Sequence, residues 1–173
     1  MDTSDSKWQD KIYLYSEEYK QVLIAKLDSI LTSKSSHSYQ DFSSIDILHP
    51  AGHTGLMKFL DEAKLSATSH VLDVGCGLGG SSRFLASEYG FSVHGVDYLQ
   101  HFVDIGNTII SACNLQDKVS AHRSDILNDT LPEDTFDLAT TIGILVITPG
   151  QIPISNVANS LKKEAYFTTK ITF

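Results

Sequence analysis

The sequence is poor in several things that would have settled its class at once. It has two cysteines in 173 residues, Cys76 and Cys113, so it carries no disulfide framework. A reducing, cytoplasmic setting is the expectation. No apolar run approaches the roughly 20 residues of a membrane span. The N-terminal residues Met1-Asp2-Thr3-Ser4-Asp5 are polar and acidic, unlike a signal peptide. There is no excess of positive charge either. Thirteen basic residues face twenty-one acidic ones, a formal charge of −8, and residues 1–69 and 70–173 are each net acidic. A field of that sign repels phosphate backbones, so neither nucleic acid nor membrane is an expected partner. No internal repeat is present, and the length fits one domain.

What is present divides into two parts. Residues 1–65 read as an N-terminal helical extension, a lid or substrate-side segment. Ile12, Tyr15, Tyr19, Val22, Leu23, Leu27, Ile30 and Leu31 recur at spacings of three and four, which predicts a helix over residues 10–31. A polar stretch ends it at Ser33, and Thr54 is placed to cap a second helix with Leu56, Phe59, Leu60 and Ala63 on its buried side. From residue 66 short apolar runs alternate with helical stretches. Strands are expected at 71–74, 91–96, 119–122, 136–142 and 165–173. Helices are expected at 81–89, 100–113 and 155–163, with Gly90 and Asn114 as C-terminal caps. That alternation predicts an α/β fold: a Rossmann-like, doubly wound, mainly parallel sheet of about five strands with helices on both faces.

The segment richest in information is Val71-Leu72-Asp73-Val74-Gly75-Cys76-Gly77-Leu78-Gly79-Gly80-Ser81-Ser82. A strand runs directly into glycines and then into a helix, and in open α/β sheets such a loop borders the ligand crevice. Gly75, Gly77 and Gly80 match the dinucleotide fingerprint, with Asp97 about twenty residues on as the ribose-binding acid. A nicotinamide enzyme is therefore one reading. A site for S-adenosylmethionine is the other, and Asp73 favours it. A dinucleotide strand normally has an apolar residue at that position, whereas a buried carboxylate needs partners. The methyl donor's cationic amino-acid end would be one.

Taken together these residues resemble class I S-adenosylmethionine-dependent methyltransferases of the small-molecule type. Val71 to Ser82 is similar to the family's first motif. His94-Gly95-Val96-Asp97 is similar to the second, and Arg123-Ser124-Asp125-Ile126 to the segment at the adenine edge. Phe136-Asp137-Leu138-Ala139 with Ile142-Gly143 is similar to the strand that ends near the transferred methyl. The stretch Asp46 to Gly52 is similar to the lead-in of members acting on amines and sterols. The resemblance covers about residues 40–173. It implies S-adenosyl-L-methionine as cofactor, held by Asp73, Gly75, Cys76, Gly77, Gly79, Asp97, Tyr98, Ser124, Asp125, Ile126 and Gly143. It implies a small-molecule acceptor, an amine among the candidates, with Tyr15, Tyr19 and His49 on the substrate side. No catalytic acid or base is identified.

Other readings of these residues are plainer. Tyr15 and Tyr19 share a helix face and could simply pack. His49 and His53 lie four apart, but Pro50 interrupts them and no third ligand is placed, so no metal site is expected. Cys76 at a helix start could be a reactive thiol or a small packing residue. Three features depart from the family. The turn before the fifth strand lacks its proline and paired glycines, the stretch after the fourth lacks histidines, and the family's last two strands have no counterpart. These departures leave a non-catalytic methyltransferase-like binding module as an alternative. They also suggest that the fifth-strand edge, Tyr166 to Phe173, is covered in a homodimer.

Overall fold

The computed structural model describes residues 16–46, 53–126, 128–142 and 154–170. Helix α1 spans Glu17–Ser33, and its first turn is closed by Ser16, whose hydroxyl accepts from the Tyr19 amide at 3.1 Å. Leu23 and Leu27 are its buried residues. Residues 10–15 of the expected helix, Tyr15 among them, lie outside the described residues. A 3-10 turn at Tyr39–Phe42 follows. Helix α2, Thr54–Ala63, buries Leu56, Leu60 and Ala63, as its spacing predicts. Its N-cap is His53 and not Thr54, which is already helical; the His53 side chain makes no capping bond.

The remaining elements alternate. They are β1 (His70–Val74), α3 (Gly80–Tyr89), β2 (Ser92–Asp97), α4 (Gln100–Ala112), β3 (Val119–Arg123), β4 (Phe136–Ile142), α5 (Ile154–Ser160) and β5 (Leu161–Lys170). Gly90 ends α3 in the left-handed conformation, φ 76°, and Asn114 follows the α4 cap Cys113 at φ 56°. The last helix and strand fall earlier than the sequence suggests. Lys162 and Lys163 read as the end of a helix and Glu164 as a turn, yet Leu161 already pairs with Phe136 and Lys162 reaches Asp137 at 2.7 Å. Sheet pairing overrides helix propensity there.

The sheet order is β3-β2-β1-β4-β5, and each neighbouring pair is parallel. The chain moves outward from β1 through β2 to β3 and then crosses back to β4 on the other side. The winding direction therefore reverses between β1 and β4. On one face Val71, Val93, Val119, Ala121 and Leu138 pack with Phe84, Leu85, Val103 and Ile110 of α3 and α4. On the other, Leu72, Val74, Val96, Phe136 and Ala139 pack with Ile126, Leu131 and Val157. Helix α1 and the 3-10 turn join outside α4, where Leu23, Leu27, Phe42 and Ile45 meet Phe102, Ile105 and Ile109.

Candidate functional site

Ligands of doubly wound sheets bind outside the carboxyl ends of the strands, at the point where the winding reverses. Here that point lies between β1 and β4, and the glycine loop leaves β1 beside it. Gly75, Gly77 and Gly79 have φ of 72°, 55° and 76°, a region open to glycine and strained for other residues. The loop is pinned from below. The amides of Gly75 and Cys76 donate to the Val96 carbonyl at 2.8 and 3.0 Å, and that of Gly79 to the Cys76 carbonyl at 2.8 Å. A side chain added at Gly77 would meet nothing within 4 Å. The loop thus presents backbone to open space, as a cradle for a ligand does.

Asp97 closes β2 and turns to the loop. Its Oδ2 accepts from the Gly77 amide at 2.8 Å and its Oδ1 from the Leu99 amide at 2.9 Å. Burial raises the carboxyl above its ordinary pKa, against those amides. The Ser124 amide donates to the Asp97 carbonyl at 2.9 Å, which places the segment after β3 beside the end of β2. There the Asp129 carboxylate accepts from the Asp125 amide at 2.7 Å and from the Ser124 hydroxyl at 3.2 Å. Asp125 accepts from the Asn128 side chain at 2.8 Å, and Ile126 is buried. Tyr98 is 40% exposed, with the Arg123 guanidinium 5.6 Å from its ring centroid.

Asp73 is only 2% exposed and sits one residue short of the end of β1. The Ser82 hydroxyl, in the first turn of α3, donates to its Oδ2 at 2.6 Å. Burial, aided by the charge of Asp97, pushes its pKa up to about 6 against that hydrogen bond. Asp73 pairs in register with Thr140 of β4. Thr140 and its neighbour Thr141 are buried, and their hydroxyls lack a hydrogen-bond partner. Cys76 is buried, and burial with the charges of Asp73 and Asp97 raises its thiol well above the usual value. Of the two readings of Cys76, this burial favours the small packing residue over the reactive thiol.

The structure thus brings Asp73, Gly75, Cys76, Gly77, Gly79, Asp97, Tyr98 and Ser124 to the carboxyl ends of β1–β3, with Asp125 and Ile126 just beyond. Tyr15, His49 and Gly143 lie outside the described residues. Tyr19 packs edge-on against Phe102, ring centroids 6.5 Å apart. His53 stacks on Phe84 at 4.0 Å. Among the described residues no group of three His, Cys, Asp or Glu could hold a metal. No helix described is long and apolar enough to cross a membrane.

Sequence reasoning missed one arrangement. Arg83 of α3 is fully buried, and its Nη2 donates to both oxygens of Asp46 at 2.6 and 2.8 Å. Its Nη1 donates to the Leu78 carbonyl of the glycine loop, and Phe42 lies 5.7 Å away. Burial raises the Asp46 carboxyl, and the guanidinium pulls it back. No local signal in the sequence pairs Arg83 with Asp46, which lies 37 positions away.

Comparison with known proteins agrees with this geometry. The family described as "Methyltransferase domain" matches residues 71–164, more than half of the chain. Phosphoethanolamine N-methyltransferase of Plasmodium falciparum is 29% identical over 129 residues, 75% of this chain and 43% of the relative. Tocopherol O-methyltransferase of Arabidopsis thaliana is 33% identical over 111 residues, 64% of this chain and 30% of the relative. This chain spans less than half the length of either. Among solved structures, a SAM-dependent methyltransferase from Thiobacillus denitrificans, in complex with S-adenosyl-L-homocysteine, superposes with a TM-score of 0.58 at 21% identity. The match covers 84% of this chain and 54% of that one. The chain belongs to the methyltransferase-domain family.

Proposed function

We propose that this methyltransferase-domain chain binds S-adenosyl-L-methionine in the glycine-loop crevice and passes its methyl group to a small-molecule acceptor. The observation that carries the reading is the junction of Asp97 with the glycine loop. A carboxylate at the end of β2 is held 2.8 Å from the Gly77 amide, below loop backbone that faces open space. Asp97 would take the ribose hydroxyls. Tyr98, Ser124, Asp125 and Ile126 would line the adenine, while Gly75, Cys76, Gly77, Gly79 and Asp73 would hold the amino-acid end. The bound cofactor supplies an activated sulfonium methyl. The chain's own contribution is then placement. Holding acceptor, methyl and sulfur in line can supply on the order of 7–11 kcal/mol of a transfer barrier.

The acceptor side falls to residues 1–65, with Tyr15, Tyr19 and His49, and to the loop after β4, while Gly143 belongs with the residues that hold the cofactor. One relative is named as an N-methyltransferase of phosphoethanolamine and another as an O-methyltransferase of tocopherol, so nitrogen and oxygen acceptors both deserve trial. Two free cysteines fit a reducing, cytoplasmic setting. Tyr166 and Phe167, 40% and 41% exposed on β5, support a homodimer along that strand. Light scattering at high concentration should give twice the chain mass, and a strict monomer overturns the dimer.

Calorimetric titration with S-adenosylhomocysteine tests the donor site. Binding by the wild type and its loss in Asp97→Ala are expected. No binding, or equal binding by the variant, overturns the reading. Titration with NADH should give no response.

A further inference from the structure

Gly77 and Gly79 stand on either side of Leu78, with φ of 55° and 76°. Glycine takes positive and negative φ about equally well, so the backbone around Leu78 is free to turn unless something holds it. The peptide group between Leu78 and Gly79 is held at both ends. Its N–H, that of Gly79, donates to the Cys76 carbonyl at 2.8 Å. Its carbonyl, that of Leu78, accepts from Nη1 of the buried Arg83. Helix α4 lies close to the same oxygen, which is 3.2 Å from where a Cβ on Gly106 would stand.

Arg83 is in turn held from the N-terminal part of the chain. Its Nη2 donates to both oxygens of Asp46 at 2.6 and 2.8 Å. Gly80 makes room for that acid. A Cβ there would stand 2.9 Å from the Asp46 Cγ and Oδ2, so a side chain would push the carboxylate off the arginine. Asp46, Arg83 and the Leu78 carbonyl thus form one line of hydrogen bonds from the segment after the 3-10 turn into the glycine loop. Tyr39 ties the same N-terminal part to α3 by a separate contact. Its hydroxyl donates to Glu88 at 2.8 Å, at the end of α3 away from the loop.

We propose that Arg83 is a positioning residue for the methyl donor and Asp46 its anchor: together they lock the Leu78–Gly79 peptide and so keep the glycine loop in its binding shape before a ligand arrives. The proposal rests on the reading of the crevice as a methyl-donor site. A loop ordered in advance binds without the entropic cost of ordering it. Because the lock begins at Asp46, the seating of the N-terminal part on α3 sets how well the donor loop is formed.

Amide exchange and calorimetry on the full chain test this together. Asp46→Leu with Arg83→Met removes both charges and keeps the space filled. Without ligand, the Gly79 amide should then exchange at least about tenfold faster than in the wild type. The Val93 amide, bonded to the Lys118 carbonyl at 2.7 Å, should keep its rate. S-adenosylhomocysteine should bind about tenfold more weakly, the loss expected when one loop in about ten is competent. Arg83→Lys keeps a charge opposite Asp46 but lacks the fork that serves two acceptors, and it should move both readings the same way. Tyr39→Phe should move neither. Unchanged Gly79 exchange, Gly79 and Val93 amides quickened alike, or unchanged S-adenosylhomocysteine affinity in the double variant overturns the proposal. An equal loss of affinity in Tyr39→Phe overturns it too. A wild type that does not bind S-adenosylhomocysteine overturns the donor-site reading itself, whatever the exchange rates show.

Discussion

The two sides of the sheet, β1-β2-β3 and β4-β5, differ in how complete they are. On the first, polar groups answer one another. The loop amides of Gly75, Cys76 and Gly77 reach Val96 and Asp97, and Arg83 reaches Asp46 and Leu78. The Arg83 Nε and the His101 Nε2 are exceptions. On the second, β4 buries two hydroxyls with no partner, and β5 exposes Tyr166 and Phe167. The glycine side is built to stand ready before anything binds. The β4-β5 side lacks that preorganisation, two hydroxyls being buried unpaired among the described residues and two rings left exposed. Preorganisation of that kind keeps the cost of ordering out of the binding step.

The largest test of this contrast is the clamp. Asp46→Ala leaves the Arg83 guanidinium buried without a counter-charge, which should cost about 3–5 kcal/mol. Urea unfolding measures it. Replacing both partners by apolar residues, Asp46→Leu with Arg83→Met, should recover much of the loss. A cost below about 1 kcal/mol would mean that the glycine side is not held by its buried charges. Next comes Gly95→Ala. Its Cβ would stand 2.9 Å from the Cys76 Sγ and 3.0 Å from the Cys76 Cβ, and neither atom is the far end of a flexible chain. Overpacking of that kind costs about 1–3 kcal/mol.

Most of this was legible in the sequence, and the reasons are local. Asp73, the glycines and Asp97 sit on consecutive elements, so strand, turn and helix signals fix their spacing. Leu56, Leu60, Phe102, Ile105 and Ile109 follow helical periodicity into the core. The start of β5 is hidden because Lys162 and Lys163 look like the end of a helix, while pairing with β4 decides their state. The Asp46–Arg83 pair spans 37 positions, and no spacing rule connects them.

Asp73 gives a smaller, pH-dependent test. Its folded pKa, about 6, lies above the ordinary aspartate value of 3.8. The native state therefore holds more protons between those values, and stability falls as pH rises through about 4 to 6. Above that range the penalty is fully present and no longer grows. Asp73→Asn should flatten this part of the profile, read as the urea midpoint at pH 4.5 and pH 7. An equally steep slope in the variant would assign the effect to Asp46 and Asp97, whose carboxyls are also raised.

The smallest effect is expected on the β5 side. Lys162 Nζ lies 2.7 Å from Asp137 Oδ1, but its side chain is 46% exposed. Exposed pairs are worth well under about 1 kcal/mol and are screened by salt. Asp137 has a second partner, the His70 amide at 2.8 Å, which ties the start of β1 to β4. Burial raises the Asp137 carboxyl, but the amide and the lysine outweigh it and hold the pKa below the usual value. Stability from this carboxylate is thus present above its unfolded pKa and lost as pH falls through the lower folded one. Lys162→Ala should be nearly silent at pH 7, and Asp137→Ala should cost more because it orphans a backbone donor. Were Lys162→Ala as costly as Asp46→Ala, the contrast between the two sides of the sheet would fail, since a solvated ion pair would then hold β5 as firmly as a buried one holds the glycine loop.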